Sequence, residues 1–130
     1  MIVTTEIDTK VGVVVNTLTG PGSRSQFEDA FEGMLGNAEF ESGMGVVWDV
    51  RDGAIDALSS SDVVRLVDFA ASRLQMRGLG RLAMLVTRNI SYGVARMIDG
   101  YSSEIPVERE IFRDFDEAVR WASGAPLEQR

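Results

Sequence analysis

One apolar run, with the turn and helix that follow it, constrains the fold of this chain more than any other feature. Residues 46 to 50 read VVWDV, and apolar residues at almost every position are typical of a strand that is covered on both faces. The run ends at Arg51-Asp52-Gly53, and from Ser59 onward apolar residues recur at helical spacing. Strand, turn and helix in this order predict half of a parallel β-α-β unit.

The remaining segments extend this unit to an α/β domain. Two β-branched runs, 2–8 and 11–18, flank a short polar turn and predict an antiparallel hairpin whose second arm lies inside the sheet. The predicted order is ββαβαβαβα, a single domain over residues 1–123 with a mixed, mostly parallel sheet and helices packed on it. A frayed tail is predicted at 124–130. The later elements are strands at 46–50, 81–87 and 107–112, and helices at 25–35, 59–77, 90–101 and 114–121.

Local signals mark several helix ends. Ser25 with Glu28 three residues later matches a capping box, and Asp114 is expected to cap the last helix. Arg77 precedes Gly78 at the end of the second helix, where a cation complements the helix dipole.

Composition excludes several kinds of chemistry. The 130 residues include no His and no Cys, so there is no Ser-His-Asp triad, Cys nucleophile, imidazole base or zinc site of the usual type. The only lysine available for a Schiff base is Lys10. Carboxylate chemistry, oxygen-ligated Mg²⁺ or Ca²⁺ and binding without catalysis remain. We predict no cofactor, no metal ligand and no catalytic residue.

Charge and hydropathy limit the partners. The net charge is -7, with 20 acidic and 13 basic residues, which argues against nucleic-acid binding because the phosphate backbone favours clustered positive charge. No segment approaches the ~20 apolar residues of a membrane span, and the first residues do not resemble a signal peptide. We therefore predict a cytoplasmic protein without a membrane span.

The runs VVWDVRDG, SSSDVVRLV and IFRDFDEAVRWA, in this order of elements, resemble the STAS domain, as found in small stand-alone SpoIIAA-like or SEC14-like bacterial proteins. The likeness extends from Ile2 to Ala122. It implies a STAS fold and a regulatory or binding role, and the SEC14-like relatives imply a lipid or other hydrophobic ligand. In antagonist-type STAS domains, a partner kinase phosphorylates a serine in an Asp-Ser-Ser-Gly turn before the second helix.

The matching segment here, IDALSSSD at 55–62, contains serines but lacks that glycine and the Asp-Ser spacing. A serine before an apolar helix is the ordinary start signal, so we expect Ser59 or Ser60 to cap the helix, with Asp62 in its first turn. The sequence leaves open whether Ser59, Ser60 or Ser61 is phosphorylated.

Three arginines, Arg51, Arg88 and Arg113, follow three predicted parallel strands. Ligands of parallel sheets gather outside the carboxyl ends of the strands, near helix N-termini. One hypothesis is therefore a small-anion site formed by these arginines, with the helix starts at Ser59, Ser60 and Asn89. The alternative, which we favour, is local surface pairing of Arg51 with Asp52 and of Arg113 with Asp114 or Asp116.

Asp49 is a carboxylate within an apolar strand, and such a group needs hydrogen-bond donors or a shifted pKa. It is either a catalytic acid paired with Asp52 or Asp56, or, in the interpretation we favour, an acceptor of loop N–H groups.

Methionine and aromatic side chains suggest a hydrophobic site or an ordinary core. They are Met34, Met84, Met97, Phe31, Phe69 and Tyr101. The 90–101 helix is expected to bury Ile90, Val94, Met97 or Ile98, and Tyr101; apolar side chains left exposed on it would favour a protein partner or a homodimer.

Three functions follow, in order of preference. The first is a non-enzymatic binding or regulatory domain that acts through a partner protein or a small anionic ligand. The second is a carrier of a lipid or other hydrophobic ligand, which needs a cavity. The third is a carboxylate-based hydrolase, with or without Mg²⁺, which needs at least two acidic side chains converging in a cleft.

Overall fold

A computed structural model describes residues 1–128 of the chain. Five strands and five helices alternate as the sequence predicts, except that the second helix is divided in two. The strands are β1 Ile2–Asp8, β2 Val13–Thr19, β3 Gly45–Asp49, β4 Leu82–Leu85 and β5 Arg109–Phe112. The helices are α1 Arg24–Leu35, α2 Ser60–Ser72, α3 Leu74–Arg77, α4 Asn89–Tyr101 and α5 Phe115–Ala122.

The strands form one mixed sheet in the order β1-β2-β3-β4-β5. β1 and β2 form an antiparallel hairpin, whereas β2, β3, β4 and β5 run parallel. β3 is the central strand, with Asp49 opposite Thr17 on one side and Leu85 on the other. The predicted hairpin, the mostly parallel sheet and the interior position of this strand are confirmed.

Helices cover the two faces of the sheet unequally. On one face, which we call the helix-rich face, α1, α2 and α4 pack over side chains that include Leu18, Met84 and Val86. On the other face α5 alone covers Val47 and Leu85, among other side chains. Successive residues of β3 point to opposite faces of the sheet. Val46 and Val47 are both fully buried because helices cover both faces.

Several helices and strands begin or end at residues other than those predicted. α1 is capped by Ser23, whose partner in the capping box is Gln26, and not by Ser25 with Glu28. The predicted 59–77 helix is interrupted at Arg73, whose φ of -110° and ψ of 10° separate α2 from α3. β4 and β5 are shorter than 81–87 and 107–112, because their regular pairing covers only Leu82–Leu85 and Arg109–Phe112.

The buried side of α4 also differs from its prediction. Val94 is buried as expected, but Ile90 and Tyr101 are 59% and 51% exposed. The small residues Ser91 and Ala95 take the inner positions instead, because small side chains let α4 lie close to its neighbours.

Of the predicted tail, residues 124–128 are described, whereas 129 and 130 lie outside the described residues. The Leu127 N–H donates to the Gly43 carbonyl at 2.8 Å.

One close backbone contact brings α5 onto the sheet. A Cβ on Gly45, the first residue of β3, would lie 2.0 Å from the carbonyl oxygen of Ala122. Gly93, in contrast, has no atom within 4 Å of the position its Cβ would take.

We expect Gly45→Ala to lower the free energy of unfolding by about 3 kcal/mol, because the added methyl group overlaps backbone that is held by packing. Gly93→Ala is the matched control and should raise stability by up to about 1 kcal/mol, since alanine favours a helix over glycine. Urea unfolding measures both. Equal effects of the two substitutions would contradict the packing of α5 on β3.

Candidate functional site

The three predicted arginines lie along one edge of the sheet, which we call the carboxyl rim. Asp49, Leu85 and Phe112 are in register at the ends of β3, β4 and β5. Arg51, Arg88 and Arg113 follow these ends.

Each of these guanidinium groups contacts a different partner. Arg51 donates Nε and Nη2 to the two Asp49 oxygens at 3.0 and 2.9 Å. Arg88 pairs with Asp56 at 2.9 Å, and Arg113 donates to the Thr87 carbonyl at 2.8 Å. Arg113 also lies 5.2 Å from the centre of the Tyr92 ring. The three arginines therefore lie on one rim, as the anion hypothesis requires, but each guanidinium group already binds a different protein group.

The expected local pairs were wrong. Arg51 pairs with Asp49 and not with Asp52, whose carboxylate accepts the Gly20 N–H at 2.8 Å. Arg113 forms no ion pair with Asp114 or Asp116 among residues 1–128. Asp114 instead caps α5, as predicted, by accepting the Glu117 N–H.

Asp49 holds the turn after β3. Its side chain is buried, and in addition to the Arg51 guanidinium it accepts the Arg51 backbone N–H at 3.2 Å. Hydrogen bonding of the Arg51 guanidinium to the Asp49 side chain, together with the charge of Asp49, raises the pKa of Arg51 against the opposing effect of burial. These contacts support the turn-holding interpretation. Asp52 and Asp56, the partners considered for catalysis, are engaged with Gly20 and Arg88.

Ser59 caps α2. Its Oγ accepts the Asp62 N–H at 3.1 Å, and the Asp62 carboxylate accepts the Ser59 N–H at 3.0 Å. The hydrogen bond from the Ser59 backbone N–H, and then the interaction with the Ser59 hydroxyl, lower the pKa of the Asp62 carboxyl. Ser60 and Asn89 are exposed first residues of α2 and α4, and the N-cap of α4 is Arg88, without a side-chain cap bond.

A buried pair behind the rim was missed by the sequence reasoning. The Ser91 hydroxyl is fully buried and donates to Asp56, the same carboxylate that binds Arg88. The contact joins the start of α4 to the loop after β3. Its only sequence signal was a serine on the inner side of a helix.

The acidic residues do not converge into a metal site. Within residues 1–128, no group of three or more acidic side chains is placed to hold a metal ion. The carboxylate-based hydrolase, which needs only two converging acidic side chains, stays a prediction.

An apolar cavity of about 140 Å³ lies inside the helix-rich face. We call it the helix-face cavity. Its apolar lining comes from every element of that face: Phe27 and Phe31 of α1; Trp48, Val50, Leu82 and Met84 of the sheet region; Ile55 and Leu58 of the following loop; Leu66, Val67, Phe69, Ala70 and Leu74 of α2 and α3; and Ile98, Ile105 and Val107 in and after α4.

The predicted lining was partly correct. Phe31, Phe69 and Met84 line the cavity. Met34 instead packs with Val14 and Val46 in a separate cluster, and Tyr101 is exposed. Met97 packs at the edge of the core and is not part of the lining.

Two arginines contribute to the lining of this apolar space. Arg109 pairs with Asp99 at 3.0 Å and donates Nη1 to the carbonyls of Ile105 and Val107. Arg77 is only 5% exposed, and its Nη1 donates to the carbonyls of Gly78 and Gly80 at 3.0 and 2.6 Å.

Arg77 has an unsatisfied donor. Its Nη2 is buried and has no hydrogen-bond partner among residues 1–128. Burial lowers the pKa of Arg77 to about 10, partly opposed by the charge of Glu128, so the side chain is still a cation at neutral pH. A buried group of this kind requires an explanation, because nearly all buried polar groups in proteins are paired.

The helical spacing of the sequence also indicates that Arg77 points inward, in addition to its position near a helix end. The apolar stripe of the second helical region runs through Val63, Val67, Ala70 and Leu74. Arg77 is the next position at helical spacing, so it falls on the inner face of the region and not only near the end of a helix dipole.

Comparisons of the chain with protein-family models, with curated proteins and with solved structures find no match. The resemblance to STAS domains therefore stays a prediction. Across residues 1–128, no helix combines the length and apolar character needed to cross a bilayer.

We expect Asp49→Asn to lower the free energy of unfolding by about 2 kcal/mol, because hydrogen bonds to a charged group are lost or weakened. Asp68→Asn, at an exposed position of α2, is the matched control and should change stability by less than about 0.5 kcal/mol. Unchanged urea unfolding of Asp49→Asn would show that this carboxylate does not hold the turn.

We expect Ser59→Ala to lower the free energy of unfolding by about 1 kcal/mol, because the α2 cap is lost. Ser60→Ala should have little effect, since Ser60 lies inside the helix start. A larger effect of Ser60→Ala would contradict the cap assignment.

The contribution of Asp62 to stability depends on pH. Folding lowers the pKa of Asp62, so its carboxylate stabilises the fold above the ordinary carboxyl pKa, and this stabilisation is lost as pH falls through the lowered pKa.

Proposed function

We propose that this chain is a non-enzymatic protein that binds a small hydrophobic ligand in the helix-face cavity. The observation that carries this proposal is the cavity itself, which is partly open and is formed by four helices and the sheet, with a lining made almost entirely of apolar and aromatic side chains. Ligand sites are usually apolar spaces of this kind with a few polar groups that fix orientation.

The volume suggests the size of the ligand. Engineered apolar cavities of about 150 Å³ stay dry and bind benzene, and the cavity here measures about 140 Å³. A single ring or a short branched chain matches this volume better than a long acyl chain. The proposed ligand is therefore a small hydrophobic molecule.

The lining also includes a small side chain. A larger residue at Ala70, in the lining, would reduce the space, so the small side chain there fits a site that is kept open.

The cavity lining also bears on catalysis. Its polar side chains are Arg77, Ser102 and Arg109, and it includes no carboxylate from residues 1–128. The acid and base that a carboxylate-based hydrolase needs are therefore absent from the described lining. Binding without reaction is the function that this lining supports.

A STAS-type fold and a regulatory role are part of the same proposal. The order of elements and the parallel arrangement of β2 to β5 support the STAS assignment. Phosphorylation of Ser59, Ser60 or Ser61 and anion binding at the carboxyl rim stay predictions.

The exposure of Ile90 and Tyr101 favours a homodimer or a protein partner through α4. The mass of the protein in solution would test the homodimer. A monomeric mass at high protein concentration would exclude the homodimer and favour a different protein as the partner.

Toluene is a suitable first probe of the cavity. We expect saturable binding of toluene to the native chain and its loss in Ala70→Leu, because three added carbon atoms occupy the space. The matched control is Ala71→Leu, the same change at the adjacent exposed position, which should bind toluene as the native chain does. Titration calorimetry measures the affinity, and the shift in melting temperature with toluene concentration gives an independent value.

The two alanine variants separate the possible results. Loss of binding in Ala70→Leu alone locates toluene in the helix-face cavity. Native protein that binds no toluene, or equal binding by both variants, would overturn the proposal.

A further inference from the structure

We propose that the ligand of the helix-face cavity carries a carboxylate, and that Arg77 binds this group through Nη2. This inference rests on the proposed function and specifies the chemistry of its ligand. It combines two independent observations, an apolar cavity and a buried cation in its lining with a free donor.

The first argument concerns charge. Arg77 is buried, and no carboxylate oxygen within residues 1–128 lies within 4.0 Å of its guanidinium nitrogens. An uncompensated buried charge is strongly unfavourable unless a counter-ion and hydrogen bonds offset the lost hydration. Since its pKa of about 10 keeps Arg77 protonated at neutral pH, an anionic ligand would supply the missing charge.

The second argument concerns geometry. Nη1 is anchored by the carbonyls of Gly78 and Gly80, so the guanidinium plane is fixed before a ligand arrives. A Cβ on Gly80 would lie 1.9 Å from the Met44 carbonyl oxygen, so this tight turn depends on glycine. A planar group held in this way can donate from its unpaired nitrogen to a carboxylate with little loss of side-chain entropy.

The third argument eliminates other partners. Arg109, the second arginine of the lining, already pairs with Asp99 and two carbonyls. Glu128 acts on Arg77 only through its charge, since its Oε1 accepts the Leu79 N–H at 3.0 Å. Among the described residues, Arg77 alone combines a place in the cavity lining with a buried donor nitrogen that has no partner.

The position of this site differs from the sequence expectation. Arg77 precedes β4, and Gly80 lies against Met44, which precedes β3. The proposed carboxylate therefore lies at the amino ends of the parallel strands, opposite the carboxyl rim. A ligand would place its apolar part among the aromatic side chains of α1 and α2 and its charged end at Arg77.

Benzoate and its neutral counterpart benzamide test this inference. The native chain should bind benzoate at least about tenfold more tightly than benzamide, because the charge-assisted hydrogen bond forms only with the anion. In Arg77→Met this preference should disappear while toluene still binds. Arg120→Met is the matched control, since it removes the same charge from an exposed position on α5, across the sheet, and it should retain the preference.

Two further measurements do not depend on the folding of a variant. Benzoate affinity of the native chain should change less than about twofold with added salt, because buried pairs are poorly screened. A crystal structure of the benzoate complex should place the carboxylate within hydrogen-bond distance of Arg77 Nη2.

The outcomes distinguish the two proposals. Toluene binding without preference for benzoate overturns the carboxylate inference and leaves the hydrophobic binding function intact. Benzoate binding that survives Arg77→Met, or that salt abolishes, also overturns the inference, because the anion would then be held elsewhere. Failure of toluene to bind the native chain overturns the function on which the inference rests.

Discussion

Burial of β3 on both faces is the constraint on which the rest of the structure depends. Val46 and Val47 are both fully buried but point in opposite directions, so helices must cover the sheet on both sides. Parallel pairing with β2 and β4 satisfies the backbone of β3 and requires crossover connections through those helices. The carboxyl rim and the helix-face cavity are both consequences of this arrangement.

The two faces meet the requirement in different ways. α5 is short and its backbone lies close to the sheet at Gly45. The layer of side chains between α5 and the sheet is therefore thin. The helix-rich face carries larger side chains, including Phe31, which stacks on Trp48 at 6.2 Å and meets Phe69 edge to face at 5.8 Å. Rigid rings in such contacts fill space less adaptably than aliphatic chains, and the cavity lies beside them.

Among residues 1–128, the buried charged side chains are Asp49 and Arg77, and their surroundings differ. Asp49 receives a bidentate arginine and a backbone N–H, so its charge is compensated within the described chain. Arg77 donates from Nη1 to two carbonyls, whereas its Nη2 has no hydrogen-bond partner among residues 1–128. The first arrangement stabilises a turn, whereas the second leaves binding energy that an anion could recover.

The sequence by itself determined the element order, the hairpin, the interior position of residues 46 to 50 and the cap at Asp114, and it limited the α2 cap to Ser59 or Ser60, because these depend on local periodicity and on side chains three residues apart. It also placed Arg51, Arg88 and Arg113 after parallel strands. Only the tertiary structure decided that Arg51 pairs with Asp49, that Ile90 and Tyr101 face outward, and that Phe31, Phe69 and Met84 share a cavity with Arg77. These features depend on which helix faces meet across the sheet, and residues distant in sequence establish those contacts.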